Sequence, residues 1–149
     1  MSDTPPRTID RTNWPPGPWD GEPDRLEWRH AGLPCLMVRN HHGAWCGYAA
    51  VPPGHPCFER DIWSADLDVH GSLTYAGHCS GDICHVPPPG EPDRVWWLGF
   101  DCAHAWDLTP RWLAMGIDEF LAPHAAYRDL AYVQGEVNRL AEQLAAATS

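Results

Sequence analysis

A chain of 149 residues with a formal charge of −10 has the length of one domain and can bury a core without needing disulfides or a metal. That charge disfavours DNA, RNA and anionic membranes as partners, because those surfaces reward clustered Lys and Arg. All ten basic residues are arginine, which removes P-loop phosphate binding, Schiff bases and lysine bases.

An apolar share of 44% with nine tryptophans excludes a disordered chain. No apolar run approaches the roughly 20 residues of a membrane span, and the start of the chain lacks the basic-then-apolar order of a signal or transit peptide. The expected localisation is cytoplasmic, with the six cysteines (Cys35, Cys46, Cys57, Cys79, Cys84, Cys102) mostly reduced. Buried thiols and metal ligands are the two readings open to them.

Residues 1–23 form a proline-rich arm, with too many missing donors and fixed φ angles for a helix or a central strand. Trp14 and Trp19 are expected to pin this arm onto the domain of residues 24–149 by burying their rings. Leu33 to Arg39 and Ala44 to Val51 are apolar, strand-length runs around the turn-type cluster Asn40-His41-His42-Gly43, and they read as a hairpin. From Asp68 to Ala76 apolar and polar residues alternate, which predicts a half-buried strand with His70 on its polar face.

A Gly- and Pro-rich loop, His78 to Asp93, leads to Val95–Cys102, a run apolar on both faces and so expected in the middle of a sheet. A short helix is predicted over Arg111–Leu121. From His124 to Ala147, Leu130, Val133, Val137, Leu140 and Leu144 step by three and four, which predicts an amphipathic helix packed across the sheet. The expected fold is α+β, a small antiparallel β-sheet packed against a long C-terminal amphipathic helix.

The densest polar cluster is Asp101-Cys102-Ala103-His104-Ala105-Trp106-Asp107, at a strand end of the kind that holds reactive groups. Asp101 and His104 could share a metal, or Asp101 could orient His104 as a general base. His55 and His70 are the natural further ligands, giving a His55/His70/His104/Asp101 set suited to zinc, with Asp101, His104 and Asp107 in catalytic roles. The plain alternative is that Asp101 caps a turn while the histidines bond locally.

A second zinc set is His78, Cys79, Cys84 and His85, with a surface loop or a Cys79–Cys84 disulfide as its alternative. Cys46 and Cys102 read as small core hydrophobes. Trp96, Trp97, Trp106 and Trp112 could stack a base or sugar, or pack the core.

The run Gly47-Tyr48-Ala49-Ala50-Val51-Pro52-Pro53-Gly54-His55-Pro56, then Val69 to Tyr75, Trp96 to His104 with Asp107, and Tyr127-Arg128-Asp129-Leu130-Ala131-Tyr132-Val133, resembles an uncharacterised family of phage, prophage and actinobacterial proteins. The similarity spans about Cys46 to Leu144 and departs from the family pattern at Ser72 and at Trp106, where a small residue such as Gly is usual. The resemblance implies no activity or cofactor. It favours the His55/His70/Asp101/His104/Asp107 set and a host cytoplasm, and it implies accessory roles such as countering host defence. Two functions follow as expectations: a zinc-dependent hydrolase of a small polar or nucleotide-like substrate, or an acidic interaction protein that inhibits a host protein, for example by nucleic-acid mimicry.

Overall fold

The computed structural model describes residues 9–62, 67–104, 106–116 and 125–147. Five strands form one antiparallel sheet: β1 (Arg25–His30), β2 (Leu33–Arg39), β3 (Trp45–Val51), β4 (Tyr75–Gly77) and β5 (Trp96–Asp101), in the order β1-β2-β3-β5-β4. The predicted β2–β3 hairpin is present. Its turn closes through Asn40, whose N–H donates to the Ala44 carbonyl at 2.9 Å, and Gly43 takes the φ of +85° that the reversal requires.

Strand alternation divides the core into two layers. Trp45, Ala49, Val51, Leu98 and Phe100 face the C-terminal helix α2 (Leu130–Ala146), which buries Val133, Val137, Leu140 and Leu144 against them. Gly47 admits that helix closely, since a Cβ there would lie 2.5 Å from Val137 Cγ2. On the other face Leu36, Cys46, Tyr48, Ala50 and Trp97 pack with Cys79 and Ile83 of the long loop. Both faces of β5 are therefore covered, as its composition predicts, and it lies between β3 and β4.

The N-terminal arm docks as expected through Trp19, which is buried and meets Tyr127 edge-on with centroids 5.0 Å apart. Arg11 fastens it further, donating to the Trp19 and Glu22 carbonyls at 2.7 and 2.8 Å and pairing with buried Asp24. Residues 1–8 of the arm lie outside the described residues.

Three predicted elements change. The strand expected from Asp68 is a turn at first: the Ser72 N–H donates to the Val69 carbonyl at 3.0 Å, and Gly71 and Ser72 take φ of +66° and +72°. Only Tyr75–Gly77 pairs, with β5. The short helix α1 spans Pro110–Ala114, capped by Thr109, and the remainder of the predicted helix from residue 117 lies outside the described residues. The C-terminal helix begins at Leu130, because the Asp129 side chain accepts the Tyr132 N–H at 2.8 Å and caps it there. Ahead of it β7 (Ala126–Tyr127) pairs in parallel with β6 (Asp107–Leu108). That pairing draws Arg128 beside Asp107.

Candidate metal centre

Asp107 opens β6 with its side chain fully buried, and burial of a carboxylate demands donors. It receives four. His70 Nε2 lies 2.9 Å from Oδ1 and 3.0 Å from Oδ2, and Arg128 Nε donates to Oδ1 at 2.9 Å. The His104 backbone N–H donates to Oδ2 at 3.0 Å, and the ring Nδ1 of the same residue lies 2.9 Å from Oδ2. Burial alone would raise the Asp107 pKa, but the bonds from His70, Arg128 and His104 outweigh it and hold the carboxyl below its ordinary value of 3.8.

A carboxylate only accepts, so both imidazoles donate to it and their tautomers are assigned. His70 then presents Nδ1 as an acceptor, and the Tyr132 hydroxyl donates to it at 2.8 Å. His104 stacks on Trp106, with centroids 4.7 Å apart and planes 7° from parallel. One edge of its ring lies against Gly71, where a Cβ would sit 2.2 Å from Cε1. The positive φ of Gly71 and the missing Cβ together let the turn at Val69–Ser72 approach His104.

One ligand atom from each of His70, His104 and Asp107 lies within 4.8 Å of the others, so this buried group could hold a metal ion. In a tetrahedral zinc site with bonds of about 2.0–2.2 Å, ligand atoms stand about 3.3 Å apart. The His70–Asp107 and His104–Asp107 contacts of 2.9–3.0 Å lie within a few tenths of an ångström of that spacing.

The other expected site residues lie apart from this group. His55 is spent locally: Nδ1 accepts the Cys57 N–H at 2.9 Å, and Nε2 donates to the Leu144 carbonyl at 2.7 Å. Leu144 is at the far end of α2 from Tyr132, about 18 Å along the helix axis. Asp101 accepts the Ala103 N–H at 3.1 Å and its Oδ1 lies 3.9 Å from His104 Nδ1, outside hydrogen-bond range. The turn-capping alternative thus describes Asp101, while His70 is neither on a strand nor on a solvated face.

The second zinc set does not assemble. Cys79 and Cys84 are joined by a disulfide, which removes both thiols as ligands. His78 pairs with Glu59 at 3.2 Å, and His85 packs edge-on against Trp97. Cys46 and Cys102 are buried core residues as expected. Burial, helped by nearby carboxylates, pushes the Cys46 thiol up to about 12 and raises that of Cys102 as well.

Two members of the centre, Arg128 and Tyr132, carry no role that the sequence alone assigns. Both fall in the Tyr127–Val133 motif, which is the available signal. No family model, curated protein or solved structure matches this chain, so its functional reading rests on the geometry of this centre.

Proposed function

We propose that His70, His104 and Asp107 form a mononuclear zinc centre that serves hydrolysis of a small, anionic, nucleotide-like substrate. The observation that carries the reading is the convergence of two imidazoles and one carboxylate within 4.8 Å. Three protein ligands and an open fourth position are the pattern of catalytic zinc, whereas structural sites close with four. A zinc ion there would supply an activated water near neutral pH.

The surrounding residues suit that task. Tyr132 fixes the His70 ring from behind, and Arg128 holds the Asp107 oxygen opposite the one a metal would take. Among the described residues only Nε of Arg128 donates, to Asp107, which leaves its terminal nitrogens to an anionic substrate group. Trp106, 47% exposed and stacked on His104, offers a flat apolar surface for a planar substrate. Asp101, whose Oδ1 lies 3.9 Å from His104 Nδ1, is the candidate proton acceptor.

The test combines metal content with turnover. One equivalent of zinc should copurify or bind, disappear in His104→Ala with the fold retained by circular dichroism, and support cleavage of bis(p-nitrophenyl) phosphate. A folded protein that takes up no zinc at micromolar free metal ends the proposal. Zinc bound without turnover would leave a structural centre and remove the hydrolase.

A further inference from the structure

A cluster of basic side chains gathers at one end of the sheet, in a chain whose net charge is −10. His41 and His42 occupy the β2–β3 turn with ring centroids 4.0 Å apart. Arg111 joins them from α1, its backbone N–H donating to the His42 carbonyl at 3.3 Å. The field is felt at His42, whose pKa is lowered first by burial and then by His41 and Arg111. Arg39 and Arg128 are each paired with a carboxylate. Among the described residues Arg111 has no such partner.

Arg111 and His41 line a cavity of about 630 Å³ between the arm and α1, within the range of small-molecule sites. Asn13 adds a further polar group, while Trp14, Ile9 and Met115 supply apolar wall. Trp14 is held in place by close approach to Gly43, where a Cβ would fall 2.7 Å from the indole. Asp10 also reaches the cavity, but its carboxylate is turned onto its own loop, accepting the Thr12 N–H at 2.9 Å and the Thr12 hydroxyl. Among the described lining residues Asp10 is the one acid, and it does not neutralise the Arg111 cation.

We infer that this cavity binds a small organic anion, its carboxylate or phosphate on Arg111 and His41 and its planar apolar body against Trp14. A guanidinium matches either oxyanion with two parallel bonds, and the imidazole edge adds a third donor. None of His70, His104, Asp107 or Arg128 lines the cavity, so the inference stands apart from the zinc reading.

Titration of the full chain with benzoate, phenyl phosphate and benzyl alcohol, followed by nitrogen-15 NMR, tests it. One of the two anions should saturate below about 1 mM with shifts centred on His41, Arg111 and the Trp14 indole, and the better of the two identifies the headgroup. Benzyl alcohol should bind at least tenfold more weakly, and Arg111→Gln should weaken the anion at least tenfold while the spectrum stays folded. Equal binding of alcohol and anion, undiminished binding by Arg111→Gln, or no saturable binding of either anion each overturns the inference.

Discussion

Asp107 grips His70 through a forked contact of 2.9 and 3.0 Å that spans 37 residues of chain and is screened from solvent. The bond ties the turn at Val69–Ser72 to β6, while Arg128 ties β6 to the entrance of α2. Three segments with little regular pairing of their own are thus organised by one buried carboxylate. Asp107→Asn keeps the shape but turns one acceptor into a donor that faces other donors. Breaking such a pair from one side costs about 3 kcal/mol or more. Urea unfolding should show a loss of this size, and a change below about 1 kcal/mol would mean that the carboxylate does not organise the three segments.

The same carboxyl sets the acid limit. Its folded pKa lies below the ordinary 3.8, so in the unfolded chain it takes up a proton first as pH falls. Its contribution to stability is present above pH 3.8 and is lost as pH drops through the folded value. Stability measured from about pH 5 down to about pH 2 should therefore fall more steeply in the natural protein than in Asp107→Asn. Parallel curves would sink this assignment.

Tyr132→Phe isolates the support behind His70. Tyr132 is exposed on one side, and its hydroxyl contacts the ring without touching Asp107. The fold should survive nearly unchanged. Removing an outer partner of a metal-ligating histidine costs about 10- to 100-fold in affinity. Competition with a chromophoric chelator should show that drop for zinc, and an unaltered affinity would detach Tyr132 from the centre.

The periodic parts of this fold are legible because burial writes itself into sequence period. The β2–β3 hairpin and the α2 seam follow from alternation and from steps of three and four. β1 escapes such a reading, although Leu26 and Trp28 alternate with Glu27 and Arg29, because an edge strand carries charges that resemble a loop. Its turn, Ala31-Gly32, has φ of +53° and +80°, a tight reversal that alanine does not advertise.

At the centre, residue type and position single out His70, His104 and Asp107, but they group His55 with them and leave Arg128 aside. Convergence of distant segments depends on β6 pairing with β7, two residues each, too short to leave a pattern. The Asp68–Ala76 alternation misleads for a related reason. Val69 and Leu73 are buried as a strand would bury them, yet the chain reverses between them at Gly71 and Ser72.

Alkaline instability should come from the core thiols. Burial raises the pKa of Cys35 and of Cys46 from 9.0 to about 12, with nearby Asp101 adding to the effect on Cys46. In the unfolded chain these thiols ionise near 9.0, while in the folded chain they stay protonated. Stability is therefore intact below pH 9.0 and declines from there up to about 12. Cys46→Ala should flatten that decline while lowering stability at neutral pH through the small cavity it opens. Denaturant midpoints at about pH 7 and about pH 10.5 check both signs, and an equal decline in the variant would clear Cys46.

Gly71 provides the sharpest probe of the centre's geometry, because strain and displacement can be separated there. Alanine at position 71 meets two penalties: a φ of +66°, and a Cβ only 2.2 Å from His104 Cε1 and 2.5 Å from Nε2. Gly54 has a φ of +95° with nothing within 4 Å of the place a Cβ would take, so Gly54→Ala carries the backbone penalty alone. Each substitution should cost about 1–2 kcal/mol from the left-handed backbone. Only Gly71→Ala must also displace the His104 ring from its present seat, by more than the tenths of an ångström a metal site tolerates. Zinc affinity should fall at least tenfold in Gly71→Ala and stay level in Gly54→Ala. Equal affinities in the two variants would show that the placement of His104 against the turn has no part in holding a metal.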